Sequence, residues 1–111
     1  VIIALGDLHT QIPQREAVER VMLDAQAAAR ERDGCESFSF AEAVGDPGHY
    51  LFVACWRDEA AMEAHYRSPA FAAYQAAITP LLVADSDLRL HVVDRSVRPV
   101  DAGTLDLRQD D

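Results

Sequence analysis

Apolar residues open the chain as a continuous run, Val1 to Leu5, and then alternate with polar ones as far as His9, the pattern of a first strand. After Pro13 the period changes. Val18, Val21, Met22, Ala25 and Ala29 recur at three-and-four spacing with Arg15, Glu19, Arg20, Asp24 and Arg30 opposite, which predicts an amphipathic helix that Asp33-Gly34 stops. The stretch "CESFSFAEAV" then alternates cleanly, with Phe38 and Phe40 on one face and Ser37 and Ser39 on the other. Gly45-Asp46-Pro47-Gly48 is dense turn chemistry, so "HYLFVACWR" is expected to return antiparallel. Both faces of this third strand are apolar: Tyr50, Phe52, Ala54 and Trp56 against Leu51, Val53 and Cys55. A strand of that kind is covered on both sides.

Asp58 is placed to cap the next helix, which carries Met62, His65 and Tyr66. Ser68-Pro69 restarts it, Ser as cap and Pro as first residue, and Phe71, Tyr74, Ile78 and Leu81 or Leu82 continue the inward stripe, with Pro80 weakening the last turn. "SDLRLHVVDRSV" alternates Leu88, Leu90 and Val92 against Arg89, His91 and Val93 and reads as the last strand. The order is βαββαβ, which predicts an α+β, ferredoxin-like antiparallel sheet with its helices on one face. Such a sheet leaves its other face bare. The two-sided apolarity of the third strand therefore predicts a homodimer closed through the open sheet face, a dimeric α/β-barrel.

At 111 residues the chain has room for one core. We expect the folded domain over residues 1–98 and an acidic C-terminal arm over 99–111 that docks across the partner. Nineteen acidic residues against ten basic ones, all Arg, leave a net charge of −9, so nucleic acid and anionic membrane are not expected partners. No apolar run reaches the roughly 18 residues of a membrane span. Cys35 and Cys55 show no C-x-x-C spacing and no secretory segment precedes them, so the expectation is two reduced, buried thiols in a cytoplasmic protein.

The residues with chemistry to offer are Trp56, His65, Tyr66, Phe71 and Tyr74, with His9, His49 and His91 elsewhere. No His or Cys pair has i,i+3 or i,i+4 spacing, so no metal site is expected. Nucleophile elbows and Gly-rich phosphate loops are also missing. What remains is an apolar, aromatic chamber with a few polar groups, the ordinary make-up of a small-molecule site. His65 either serves it as general base or hydrogen-bond partner, or is a core histidine satisfied by a carbonyl. Trp56, Phe71 and Tyr74 are either its walls or plain packing. His9 and His91 could each look into it, and His49, after a turn, is expected in solvent.

The segment "WRDEAAMEAHYRSPAFAAY" resembles the antibiotic biosynthesis monooxygenase superfamily, whose members carry a Trp, a His nine residues on, Ser or Thr-Pro, an aromatic residue or Met, and Ala-Tyr. Here those are Trp56, His65, Ser68-Pro69, Phe71 and Ala73-Tyr74, and the likeness in element order runs from about Ile2 to Val97. The resemblance implies a ferredoxin-like subunit that dimerises sheet to sheet. It also implies oxygenation without flavin, haem or metal, in which a phenol or quinol is deprotonated and its anion reacts with dioxygen as co-substrate.

On that basis His65, Trp56 and Tyr74 are the expected catalytic residues. Tyr66, Phe71, Phe52, Arg89 and His91 are the expected substrate contacts. Many relatives have Glu two residues before the tryptophan, where this chain has Ala54. The haem-degrading branch has its ligating His where Gln75 stands, so haem is not expected. The function expected is a cofactor-independent monooxygenase of an aromatic quinol, phenol or polyketide-like molecule. The alternatives are a non-oxidative acid-base isomerase and a non-catalytic dimeric binding or stress-response module.

Overall fold

A computed structural model describes residues 1–98 of the chain. The acidic arm expected at 99–111, and its docking on a partner, lie outside the described residues. Among these, four strands, β1 (Ile2–His9), β2 (Cys35–Glu42), β3 (His49–Trp56) and β4 (Asp87–Val92), form one antiparallel sheet in the order β2-β3-β1-β4. Helix α1 (Arg15–Arg30) follows a short 3-10 turn at Ile12–Gln14. The second helical segment is broken, as Ser68-Pro69 predicted, into α2 (Glu59–Tyr66) and α3 (Pro69–Ile78), and Pro80 converts the chain beyond Ile78 to a 3-10 turn. This is the ferredoxin-like α+β fold expected from the pattern of strands and helices.

Alternation decides which side chains meet. Ile2, Ala4 and Leu8 of β1, Phe38 of β2, and Tyr50, Phe52, Ala54 and Trp56 of β3 all point to one face of the sheet and are buried. Val18, Met22 and Ala29 of α1, Ala61 and Met62 of α2 and Ile78 of α3 close over them. The amphipathic stripe of α1 therefore lands where its spacing placed it. The helix ends at Arg30 with Glu31 as its cap, earlier than the Asp33-Gly34 stop expected, and Gly34 turns the chain into β2 with a φ of 86°. A side chain there would collide with the Ala61 methyl, so glycine serves both the turn and the approach of α2.

The other face of the sheet has no cover from any described element. Leu5, Leu51 and Val53 stand on it with 41% to 45% of their surface in water. Leu5 lies directly opposite Val53 in the β1–β3 register, so these residues form one contiguous apolar surface. Cys35 and Cys55 are free thiols but only partly buried, a correction to the expectation of full burial: Cys35 sits at a bulge in β2 and Cys55 points to the uncovered face.

The last strand departs further from expectation. Its Leu88, Leu90 and Val92 do lie on the helix side, opposite Gly6, Ala4 and Ile2 of β1, yet every residue of β4 is exposed. Each helix packs on the β2 and β3 half of the sheet or on another helix, and none roofs the β4 edge. A strand can alternate correctly and still lie at the open edge of the core, where Leu88 and Leu90 keep nearly half of their surface in water.

Candidate active site between the sheet and the paired helices

Asp58 and Ser68 set the site. The Asp58 carboxylate accepts from the Ala61 amide at 2.9 Å and starts α2. In its last turn α2 presents His65 inward, 5% exposed. The buried Ser68 hydroxyl donates to the His65 carbonyl at 2.6 Å and accepts from the Phe71 amide at 3.2 Å, so one side chain ends α2, caps α3 and fixes the angle between them. That angle brings Tyr66 and Phe71 together edge to face, 4.8 Å between ring centroids.

Rings surround the imidazole of His65. Trp56 lies at 4.8 Å, Tyr66 at 5.1 Å, and Phe38 and Phe71 at 5.4 Å each. Beyond them a cavity of about 180 Å³ opens, lined by Phe38, Phe40, Phe52, His65, Tyr66 and Phe71 among others, with Tyr74 and Gln75 from α3. An apolar cavity of roughly 150 Å³ is enough to hold benzene, so this one has room for a single aromatic ring. Wider depressions beside Arg32 and Arg57, and beside Pro13 and Pro47, are open to solvent and lack this aromatic wall.

Among the described residues, four buried polar atoms have no hydrogen-bond partner: both ring nitrogens of His65, the Tyr66 hydroxyl and the Trp56 indole nitrogen. Those of His65 and Tyr66 belong to residues that line this cavity, and Trp56 stacks behind His65. Buried polar atoms are nearly always paired, and leaving one unpaired costs about 1–3 kcal/mol. The alternative of a core histidine satisfied by a carbonyl is not met. Burial, and to a lesser degree positive Arg32, lower the His65 pKa to about 4, so the ring is neutral at neutral pH with one nitrogen free to accept a proton and one able to donate. Burial, reinforced by Tyr66, raises the Tyr74 hydroxyl to about 12, and burial raises Tyr66 as well, so both phenols remain protonated donors.

The structure brings His65, Tyr66, Phe71, Tyr74 and Phe52 to one cavity. Trp56 touches His65 but is wholly buried behind it and does not line the space. Arg89 and His91 are a correction: they pair with Leu5 and Ile3 on the uncovered face, across the sheet from the cavity. His9 also points to that side, where its ring stacks on His49. His49 is engaged by Asp46 and Asp7 instead of standing in solvent. Two walls were missed. Phe38 and Phe40 face the cavity, and the alternation that set them opposite Ser37 and Ser39 was the signal that could have found them.

The sequence profile of the antibiotic biosynthesis monooxygenase family matches residues 1–77, from β1 through most of α3. The chain belongs to this family. An uncharacterized protein of Synechocystis sp. is 23% identical over 92 residues, which make up 83% of this chain and 63% of that protein, so the chain spans less than two thirds of the curated relative's length. Among solved structures, one described as a candidate antibiotic biosynthesis monooxygenase from Deinococcus radiodurans superposes with a TM-score of 0.84 at 20% identity, covering 91% of this chain and all of that one. A Mycobacterium tuberculosis protein gives 0.79 at 20% identity, over 87% and 98% of the two chains. At these identities the structures establish the shared fold. The family match includes the whole Trp56-to-Tyr74 segment and therefore every side chain that surrounds His65. No helix among the described residues is long and apolar enough to cross a membrane.

Proposed function

We propose that this family member is a monooxygenase of a small electron-rich phenol or quinol, working with dioxygen as co-substrate and no resident cofactor. The observation that carries the reading is His65: a neutral, unpartnered imidazole at the wall of an aromatic cavity with room for one ring. A quinol suits such a site because it supplies every electron the reaction needs. Quinol plus dioxygen gives hydroxyquinone plus water, with atoms and electrons balanced and no outside reductant.

His65 is the proton acceptor in this reading. Charging it alone in the cavity is costly, as its lowered pKa records. The cost falls when its proton comes from the substrate hydroxyl, because imidazolium and phenolate then form as an adjacent pair in a low-dielectric space. Tyr66 donates to the developing anion, and Phe52, Phe71 and Tyr74 hold the ring in place. Trp56 positions the imidazole from behind. A cavity of one-ring size favours a monocyclic quinol over a polyketide of several fused rings, which would have to project through the mouth.

An isomerase acting on a small polar metabolite calls for a chamber lined by His and Arg more than by rings, and a non-catalytic module for no ring-sized space; the cavity's lining and volume favour the oxygenase. The working unit we propose is a homodimer joined through the face that carries Leu5, Leu51 and Val53. The test is oxygen uptake by chelator-treated protein over a panel of mono- and dihydroxybenzenes and naphthalenes. Stoichiometric oxygen consumption with hydroxyquinone formation is expected. Substrate turnover under strict anaerobiosis, or none with any electron-rich phenol, would overturn the reading.

A further inference from the structure

At the end of the uncovered sheet face, three ligand-type side chains converge that the oxygen chemistry does not use. Asp7 and His9 are two apart on β1 and so share a face, and His49 of β3 is the direct cross-strand partner of His9. One carboxylate oxygen of Asp7 and one ring nitrogen of each histidine lie within 4.8 Å of one another. The two imidazoles are stacked nearly parallel, 4.2 Å between centroids and 13° between planes. His49 is held from both sides: its Nδ1 is 2.9 Å from Asp46 Oδ2, and its Nε2 is 3.3 Å from Asp7 Oδ2.

We propose that Asp7, His9 and His49 bind a divalent cation of the zinc class, with Asp46 as the carboxylate that orients His49. A metal-binding histidine normally gives its other N–H to a carboxylate, which fixes the tautomer and turns the remaining lone pair to the metal. Nδ1 faces Asp46 and Nε2 faces the Asp7 carboxylate, so the space between Nε2 and Asp7 favours a positive charge, which a proton on the ring or a bound cation supplies. The surroundings add to the demand. Asp7 is opposite Asp87 in the β1–β4 register, and Arg89 is 3.4 Å from Asp87, so its charge is already engaged there.

Two imidazole nitrogens and one carboxylate oxygen suit zinc, copper or nickel and not calcium or magnesium, which take oxygen ligands. Zinc–nitrogen bonds of about 2.0–2.1 Å call for donor atoms somewhat closer together than they stand here, so chelation splays the stacked rings and water completes the tetrahedron. The bound cation ties the end of β1 to the start of β3 beside the Asp46–Gly48 turn. This lies on the opposite face from the His65 cavity and takes no part in its chemistry, while Asp7 is the cross-strand neighbour of Leu51 on the face proposed to join the dimer.

Zinc alone is the probe. The full chain, carrying Cys35→Ser and Cys55→Ser to remove thiol ligands, is stripped with chelator and titrated calorimetrically at neutral pH. One zinc per chain and a higher Tm are expected. His9→Ala, His49→Ala and Asp7→Asn should each weaken binding at least about tenfold, and Asp46→Asn should weaken it by about tenfold while leaving the stoichiometry at one. Cobalt substitution gives a second reading on the unmutated site: tetrahedral visible bands without a thiolate charge-transfer band are expected. Lack of saturable binding at millimolar zinc, equal binding by the His9→Ala/His49→Ala double variant, or a cobalt spectrum identical to that of the free aquo ion would each overturn the proposal.

Discussion

The His65 imidazole lies 4.8 Å from the Trp56 indole, tilted by 31°, and no nitrogen of either ring has a hydrogen-bond partner. Two aromatic residues are thus packed for shape while their polar atoms are left unpaired. Replacing His65 by leucine keeps much of the volume and removes the orphaned nitrogens. We expect His65→Leu to melt at the same temperature or higher, since an unpaired buried polar group costs about 1–3 kcal/mol. Turnover should fall at least about a hundredfold if the imidazole moves the substrate proton. Thermal melts set beside oxygen-uptake rates check this, and parallel loss of both would make His65 a packing residue.

The same group gives stability a pH dependence with a definite sign. His65 has a pKa of about 4 in the folded protein against an ordinary value of 6.5, so between those limits the unfolded chain binds the extra proton. Stability should therefore decline as pH falls from about 6.5 towards 4, by up to about 3 kcal/mol. His65→Leu should lack this slope. Denaturant titrations of both proteins across that window isolate it, because carboxylates such as Glu42 and Asp33, held below their usual range by arginine hydrogen bonds, change both proteins alike.

Ser68 joins structure to chemistry through two bonds of one hydroxyl. Ser68→Ala should cost about 1–2 kcal/mol through loss of the cap and the bond to the His65 carbonyl. It should also lower kcat more than it raises KM, since the angle that sets His65 against Phe71 loosens. Ser68→Thr should restore most of both. Unchanged kcat in the alanine variant would mean that packing alone holds the two helices.

On the uncovered face, Leu5 and Val53 are cross-strand neighbours. Placing a charge at the centre of an apolar interface leaves it buried and unpaired, so Val53→Asp or Leu5→Asp should convert a dimer to monomer while each subunit stays folded. Sedimentation equilibrium with far-UV circular dichroism is the measurement. A monomeric parent would remove the dimer from the proposal.

Much of this molecule was legible one element at a time. Period-two and period-3.6 runs located the strands and helices, Asp58 and Ser68 announced their caps, and the Trp56-to-Tyr74 spacing carried the family likeness. Local rules suffice there because backbone geometry and capping act between residues close in sequence. Alternation also fixed which residues of β4 share a face, but whether anything covers that face depends on how far the helices reach across the sheet, which no local pattern encodes.

Sequence by itself determined the elements, their order and the aromatic stock around His65, because these follow from side-chain periodicity and from chemistry carried on one short stretch. Tertiary structure alone decided that Phe38 and Phe40 join the cavity while Arg89 and His91 face away, and that Asp7, His9 and His49 meet. The physical reason is register: strands far apart in the chain acquire common neighbours only once their hydrogen-bond ladders align, and a shift of one residue would send every side chain to the opposite face.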